Sequence, residues 1–421
     1  MKKRILALAM VLAMVAGLAA CGSNSDSSDT TDTTAGESGS EATEESGGHE
    51  YDSLTDEELY EIALEEGGEI TVYATSSKML NAEEDFEAAY EGLDVTIMDL
   101  DQDEVLEKAR LEAQSGNIQG DVLQAKDANG SVYYEYFEDG ILDEYFPEDI
   151  CQYIEDDLLV YGYPLYTGAV TWYYNTEAYP DGQPVNSWWE IIETDEDGNQ
   201  KYRLFTKEIG TETTYLSLLT SFIINADEME QAYVDTYGEE LEYTYDASAF
   251  DFEVPENNAG VEFLWRLSQC QMTFIGDGDE LVAAVNNSTA DDPALALASA
   301  GKITNVEESG YNIAWLQNLA PYTSLYNTEN MYVVANCPHP AGARLFIRWI
   351  TGGTDGESGG LEYFKKEGNW PVRSDVEDTW NPVTIQDLGC IAADLESIYD
   401  NYAYAQNMWT YWLAESPYIS G

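Results

Sequence analysis

In residues 69–78, E-I-T-V-Y-A-T-S-S-K, an alternating strand pattern is followed by a polar turn. A helical pattern follows over residues 80–90, and then a strand, a helix and a strand are indicated at residues 94–98, 101–115 and 121–125. Strands that alternate with helices of this length favour a mostly parallel sheet with helices on its faces. The sequence therefore predicts an α/β fold.

A sheet of this kind binds ligands beyond the carboxyl ends of its strands. Here those ends are residues 75–78, 99–101 and 124–127. Thr75, Ser76 and Ser77 supply hydroxyl groups and backbone donors where a helix begins, a place that suits polar or anionic groups. Plain helix capping is the alternative explanation of the same residues. Asp127, at the third end, either pairs with a cationic group or caps the next helix.

The N-terminal segment has the layout of a secretory signal peptide over residues 1–20, with a basic start, an apolar run and small residues at its end. Leu18-Ala19-Ala20-Cys21 resembles a bacterial lipobox, which implies that Cys21 carries lipid and holds the protein at the outer face of the cytoplasmic membrane. The alternative is a soluble secreted protein with an incidental cysteine. The apolar run is too short to serve well as a transmembrane span, and no later stretch is longer.

Residues 21–51 contain eight acidic side chains, no Lys or Arg and almost no aliphatic residues. A segment of that composition buries too little apolar surface to offset the entropy of ordering, so it predicts a disordered acidic tether. The folded body begins after it, where Thr55 and Glu58 form a capping-box pattern that predicts a short helix.

The formal net charge of the 421-residue chain is −64. Nucleic acid is therefore excluded as a partner, because its binding depends on Lys and Arg that neutralise phosphates. Beyond Cys21 the cysteines are Cys151, Cys270, Cys337 and Cys390, and their spacing is not that of a zinc site. Export permits disulfides, but buried free thiols are at least as good an interpretation, because a body of this size needs no covalent crosslinks.

Several motifs resemble, in their order along the chain, extracellular solute-binding proteins of bacterial ABC importers. They are E-G-G-E-I-T-V-Y-A-T-S-S-K-M (66–79), G-D-V-L-Q-A-K-D (120–127), W-Y-Y-N-T-E (172–177), S-W-W-E (187–190), P-H-P-A-G-A-R-L-F-I-R-W (338–349) and G-N-W-P-V-R-S-D-V (368–376). The resemblance is greatest to the ferric-iron-binding and polyamine-binding branch of the type 2 periplasmic binding proteins.

This resemblance implies a two-lobed α/β protein that closes on a small-molecule solute in the cleft between the lobes. Lobe one would comprise residues 52–163 and 322–421, and lobe two residues 164–321. Two crossover segments, near residues 163–172 and 313–326, would act as hinges. The protein would then be a monomer that delivers its solute to ABC permease subunits, with no cofactor and no catalytic activity.

Further candidate ligand residues come from the crossovers and from lobe two. Thr211 and Thr213 precede an apolar run and offer hydroxyls as Thr75 does, and Ser299 begins a loop that resembles the lobe-two cleft loop of the family. The large rings at the crossovers either stack on a ligand or pack the hinge; they are Tyr166, Trp172 and Trp315.

The sequence lacks the features with which members of this branch bind ferric iron. The first loop lacks the histidine that iron binders often place there, and the pairs Tyr133-Tyr134 and Tyr173-Tyr174 lie away from residues 286–289, where the resemblance places the iron-binding tyrosines. We therefore expect a small polar organic solute and no protein metal site. A sugar, a polyamine, a thiamine-like cation and an iron chelate remain open, as does bare ferric iron. The aromatic content leaves a surface-anchored carbohydrate-active enzyme as the alternative function.

Overall fold

The computed structural model describes residues 49–159, 162–195, 197–357 and 359–418. The predicted signal peptide, Cys21 and most of the predicted tether lie outside these residues. The last residues assigned to the tether belong to a short helix, α1 (His49–Asp52). In the described part of the chain, no helix has both the length and the apolar character of a membrane span.

The predicted alternation of strands and helices is confirmed. Thr55 caps the first long helix through a capping box with Glu58. The elements that follow are α2 (Asp56–Glu65), β1 (Glu69–Ala74), α3 (Ala82–Ala89), β2 (Asp94–Asp99), α4 (Gln102–Ser115) and β3 (Val122–Lys126). Strand β1 pairs in parallel with both β2 and β3, so the carboxyl ends of all three strands lie at one edge.

The remaining strands and helices complete a mixed α/β architecture. They are β4 (Leu142–Asp143), α5 (Glu148–Cys151), β5 (Tyr163–Asn175), α6 (Trp188–Ile191), β6 (Arg203–Thr206), α7 (Thr213–Ile224), α8 (Ala226–Tyr237), α9 (Ala259–Ser268), β7 (Met272–Phe274), α10 (Gly278–Asn286), β8 (Ala294–Ser299), α11 (Asn305–Glu308), β9 (Ile313–Trp315), β10 (Ser324–Val334), α12 (Pro340–Ile350), β11 (Cys390–Ala392) and α13 (Leu395–Glu415). A π-helix spans Val132–Phe137, and short 3₁₀ helices include Ser77–Asn81, Ile209–Thr211, Ala300–Thr304 and Gly359–Phe364.

Two long strands join the halves of the sheet. The strand order is β2-β1-β3-β10-β5-β8-β6-β7, with β4 and β11 also on β10 and β9 also on β5. The first part of β5 pairs antiparallel with β10, and its second part pairs with β8 and β9. In the second half, β6 is parallel to both β7 and β8, so this half also has an edge of carboxyl ends.

Among the residues that the structure describes, the buried side chains form three cores. The first contains Val72 of β1 and Phe346 of α12, the second contains Trp188 and Phe222, and the third packs under β8 around Val282. Helix α13, which the sequence analysis assigned to lobe one, packs against α7 and α9 in the second core. The boundaries of the two lobes stay a prediction.

The four cysteines of the described residues are free thiols. Burial raises the pKa of Cys151, Cys270, Cys337 and Cys390 to about 12. At neutral pH these thiols therefore stay protonated, which makes them poor nucleophiles and poor metal ligands.

Candidate functional site

The carboxyl ends of strands from both halves of the sheet meet at one cavity of about 610 Å³. We call it the cleft pocket. Its lining consists of Thr75, Ser76, Leu100, Asp101, Gln102, Asp103, Lys126, Tyr166, Lys207, Thr211, Glu212, Thr213, Thr214, Gly276 and Glu329. Most of these side chains are polar, so the pocket suits a hydrophilic ligand.

The first half of the sheet contributes the ends of β1, β2 and β3, as the sequence predicted. Thr75 and Ser76 follow β1, and the Thr75 hydroxyl donates a hydrogen bond of 3.0 Å to Oε1 of Glu329. Gln102 exchanges two hydrogen bonds with the Lys126 backbone, at 3.1 and 3.3 Å, and so ties the start of α4 to the end of β3. Ser77, in contrast, is exposed on the 3₁₀ helix that follows and is not part of the lining.

The second half contributes the segment between β6 and α7. Lys207 follows β6, and its Nζ lies 2.9 Å from Oε1 of Glu212. Thr213 begins α7, and no side chain caps this helix. The first N–H groups of a helix have no partner within it, and they favour acceptors and anions. This edge therefore offers backbone donors in addition to the threonine hydroxyls.

The C-terminal helix α13 holds this segment in place. Glu208 accepts hydrogen bonds of 3.0 Å from Nε1 of Trp409 and from the backbone N–H of Gly210. Gln406 donates to the Gly210 carbonyl oxygen at 2.8 Å. The loop that carries Thr211 is thus fixed by three hydrogen bonds.

The floor of the cleft pocket is formed by Tyr166 of β5 and Glu329 of β10, which lie opposite each other in the sheet. Glu329 is only 4% exposed, and its carboxylate also lies 3.6 Å from Nζ of Lys126. The Tyr166 ring stacks on Phe364, with ring centroids 5.6 Å apart. Burial, with the Glu329 charge, raises the pKa of Tyr166 well above its ordinary value, so the phenol stays a hydrogen-bonding group.

Asp127 has the capping role that the sequence left as one of two alternatives. Its carboxylate oxygens accept hydrogen bonds from the backbone N–H groups of Val132 and Tyr133, at 3.3 and 3.1 Å. Burial raises its pKa to about 6. Asp127 is outside the lining of the cleft pocket.

The structure does not bring Trp172, Trp315 or Ser299 to the cleft pocket. Trp172 is 1% exposed and packs edge-on against Trp188 in the second core. Trp315 is 3% exposed, and its indole N–H donates to Tyr173 Oη at 3.0 Å and to the Ala300 carbonyl at 3.1 Å. Ser299 is exposed, and its carbonyl accepts from Tyr173 Oη at 2.8 Å. Of the predicted residues, the pocket gathers Thr75, Ser76, Tyr166, Thr211 and Thr213.

Sequence reasoning missed the charged residues of the lining. Lys126 and Lys207 each lie at the end of a parallel strand, and Glu329 lies within β10. Lys126 lies within the strand end at residues 124–127, whereas Lys207 follows β6, a strand that the sequence analysis did not indicate. No local signal identifies Glu329, because its place depends on the pairing of β10 with β3 and β5.

The tyrosine pairs considered for iron have other roles. The Tyr173 hydroxyl donates hydrogen bonds to the carbonyl oxygens of Ser299 and Ala300. The Tyr133 ring contacts the Tyr134 ring edge-on. Among the described residues there is no cluster of three or more His, Cys, Asp or Glu arranged to hold a metal ion.

Comparisons with known proteins agree with this architecture. Residues 81–389 match the family model described as bacterial extracellular solute-binding protein. No curated protein sequence matches the chain. The apo ferric ion-binding protein A of Pasteurella haemolytica is similar with a TM-score of 0.61 at 13% identity, covering 84% of this chain and 100% of that one.

Two further solved structures are similar over almost their whole length. Iron-bound HitA from Pseudomonas aeruginosa has a TM-score of 0.58 at 14% identity, covering 82% of this chain and 99% of that one. The periplasmic binding protein AfuA from Actinobacillus pleuropneumoniae, with fructose-6-phosphate bound, has the same TM-score, identity and coverage. The two-lobed fold expected from the sequence is therefore confirmed.

Proposed function

The chain belongs to the bacterial extracellular solute-binding proteins and is the substrate-binding component of an ABC importer, and we propose that its ligand is a small polar organic solute held in the cleft pocket. The family acts outside the cytoplasm, and its fold is that of binding proteins, not of enzymes. The single observation that carries the proposal is the convergence of Thr75, Ser76, Thr211 and Thr213 on one cavity from both halves of the sheet.

The size and chemistry of the cleft pocket support an organic ligand. Its volume of about 610 Å³ lies within the range of roughly 300–1,000 Å³ typical of small-molecule sites. Two of its carboxylates, those of Glu329 and Glu212, already pair with Lys126 and Lys207. Hydroxyl groups, ammonium groups and the N-terminus of α7 remain as donors for a polar solute, and Tyr166 offers an apolar ring face.

A thermal-shift screen tests this proposal. The purified protein is titrated with sugars, polyamines, thiamine-like cations, ferric ion and ferric chelates. A ligand present at ~100 times its dissociation constant stabilises the folded state by ~2.7 kcal/mol, so a genuine ligand gives a clear rise in melting temperature. The double variant Thr75→Val/Thr213→Val should lose that rise, and Ser77→Ala, outside the lining, should keep it.

The same screen can also contradict the proposal of an organic ligand. A stoichiometric response to ferric ion, with a tyrosinate-to-iron absorption band and no response to any organic solute, would show that the ligand is the metal.

We further propose that Cys21 carries a lipid, which anchors the monomeric protein at the outer face of the cytoplasmic membrane. The support is the basic, apolar and small-residue series that ends at Cys21. Replacing Cys21 with Ala should shift the protein from the membrane fraction to the medium or to unprocessed precursor, as fractionation and immunoblotting would show. A variant that is still processed and still bound to the membrane would refute this anchor.

A further inference from the structure

Positive charge is concentrated beside the cleft pocket of this very acidic chain. The sequence contains ten lysines against a net charge of −64. The charges of Lys78, Lys126 and Lys302 all act on Lys366, and we call these four residues the lysine cluster. Such a concentration does not follow from composition, because acidic residues outnumber basic ones 81 to 17.

Lys366 lies where two loops from different halves of the sheet meet. It follows the 3₁₀ helix Gly359–Phe364, whose last ring stacks under Tyr166 of the cleft pocket. A Cβ atom on Gly301 would lie 3.5 Å from Nζ of Lys366, and a Cβ on Gly368 would lie 2.4 Å from the Ala300 carbonyl carbon. The two loops are therefore tightly docked, and the Lys366 ammonium lies against Gly301.

The other members of the lysine cluster come from three further segments of the fold. Lys302 follows Gly301 directly, and Lys126 is part of the pocket lining. Lys78 lies on the 3₁₀ helix Ser77–Asn81, which packs against Gly359–Phe364. Lys126 therefore belongs both to the lysine cluster and to the lining of the cleft pocket.

The lysines of the cluster differ in whether they have an acidic partner. Lys126 pairs with Glu329 at 3.6 Å, and Lys302 pairs with Asp279 at 2.9 Å. Lys366 forms no side-chain hydrogen bond or ion pair with any described residue. Burial lowers its pKa, and the charges of Lys78, Lys302 and Lys126 lower it further, while Glu308 acts in the opposite direction. A partly buried ammonium that lacks a partner is unfavourable until a counter-charge arrives.

We propose that the lysine cluster is a subsite for an oxyanion group of the transported solute, a phosphate or a carboxylate, with Lys366 in direct contact. This inference rests on the proposed function and names the chemical class of its ligand. A lysine ammonium is a compact point charge and a common phosphate binder. Binding of the oxyanion would supply the partner that Lys366 lacks.

The competing candidate is a cationic solute held by the acidic side of the same pocket. Asp101 and Asp103 both line it, but Asp101 is already engaged in the capping box of α4 with Glu104. The observations favour the anion, because an unpaired cation is more strongly enclosed than either of these exposed carboxylates. Cationic probes therefore belong in the test.

The test compares solutes that share a skeleton and differ in charge. Glucose, glucose 6-phosphate and glucuronate are titrated by calorimetry, together with inorganic phosphate and the diamine putrescine. The variants are Lys366→Met and, as the matched control, Lys365→Met, which removes a neighbouring ammonium paired with Glu362. At least one anionic probe should bind the wild type, and Lys366→Met should weaken that binding at least tenfold while Lys365→Met leaves it unchanged.

A second measurement needs no ligand. Without solute, Lys366→Met should melt at a higher temperature than the wild type, because it removes a partly buried charge that has no partner. A residue with only a structural role would give the opposite sign.

Different results would contradict the oxyanion subsite alone or the proposed function as well. Tight binding of glucose or putrescine that Lys366→Met does not affect would overturn the oxyanion subsite and leave the proposed function standing. A response to ferric ion alone would overturn both. Equal losses in the two lysine variants, or no response to any anionic probe, would also overturn the inference.

Discussion

Replacing Arg348 with Met is expected to lower the free energy of unfolding by about 3 kcal/mol, because it breaks a buried ion-pair network. Arg348 is fully buried in α12 and donates two hydrogen bonds to the Asp149 carboxylate, at 2.8 and 2.7 Å, and a third to Asp56. These contacts join α12 to α5 and α2. The two carboxylates are partly exposed and regain water, which places the loss at the low end of the range for broken buried pairs.

Chemical denaturation measures this loss, and Arg110→Met is the control. Arg110 also pairs with a carboxylate, Glu135 at 2.8 Å, but its side chain is 29% exposed, so its removal should cost less than about 1 kcal/mol. The hydrogen bonds from Arg348 lower the pKa of Asp149 below its ordinary value of 3.8. That part of the stabilisation is therefore complete at neutral pH and is lost as the pH falls below about 4. Equal losses in both variants would contradict this assignment.

Replacing Trp172 with Ala is expected to cost about 3–5 kcal/mol of stability, the usual range for a large buried ring. The ring is enclosed in the second core against Trp188 and does not reach the cleft pocket. The fraction of Trp172→Ala that folds should bind the solute found by the screen with unchanged stoichiometry. Calorimetry on the folded fraction measures this.

The control for Trp172 is a conservative change. Its indole N–H has no hydrogen-bond partner in the described part of the chain. Trp172→Phe keeps most of the apolar volume and removes that unpaired donor, so it should cost less than about 1.5 kcal/mol. If Trp172→Ala abolished binding at little cost in stability, Trp172 would be a ligand residue after all.

The first half of the fold was predictable because its signals are local. A capping box, a strand of alternating residues and a polar turn each act over a few positions, and they indicated α2, β1 and the strand end at Thr75. Because parallel strands end at the same edge, the sequence also indicated the edge where Thr75 and Ser76 line the cleft pocket.

The sequence could not show which aromatic candidates face the cleft pocket and which lie in the core. Alternation tells which residues share a face of a strand, but nearly every residue of β5 is buried. Pattern therefore cannot separate Tyr166, which faces the cleft pocket, from Trp172, which is enclosed in the core. Lys366 was missed because its position depends on contact with Gly301, which is distant along the chain.

Small-angle X-ray scattering tests whether two lobes close on a solute in the cleft pocket. The antiparallel strands β5 and β10 connect the halves of the sheet, and the proposed hinges near residues 163–172 and 313–326 overlap them. Ligand should select a more closed arrangement of the lobes. We expect a monomer whose radius of gyration falls at saturating solute for the wild type and for Ser77→Ala, but not for Thr75→Val/Thr213→Val at the same concentration. A radius of gyration that stays the same when calorimetry shows full occupancy would contradict this expectation.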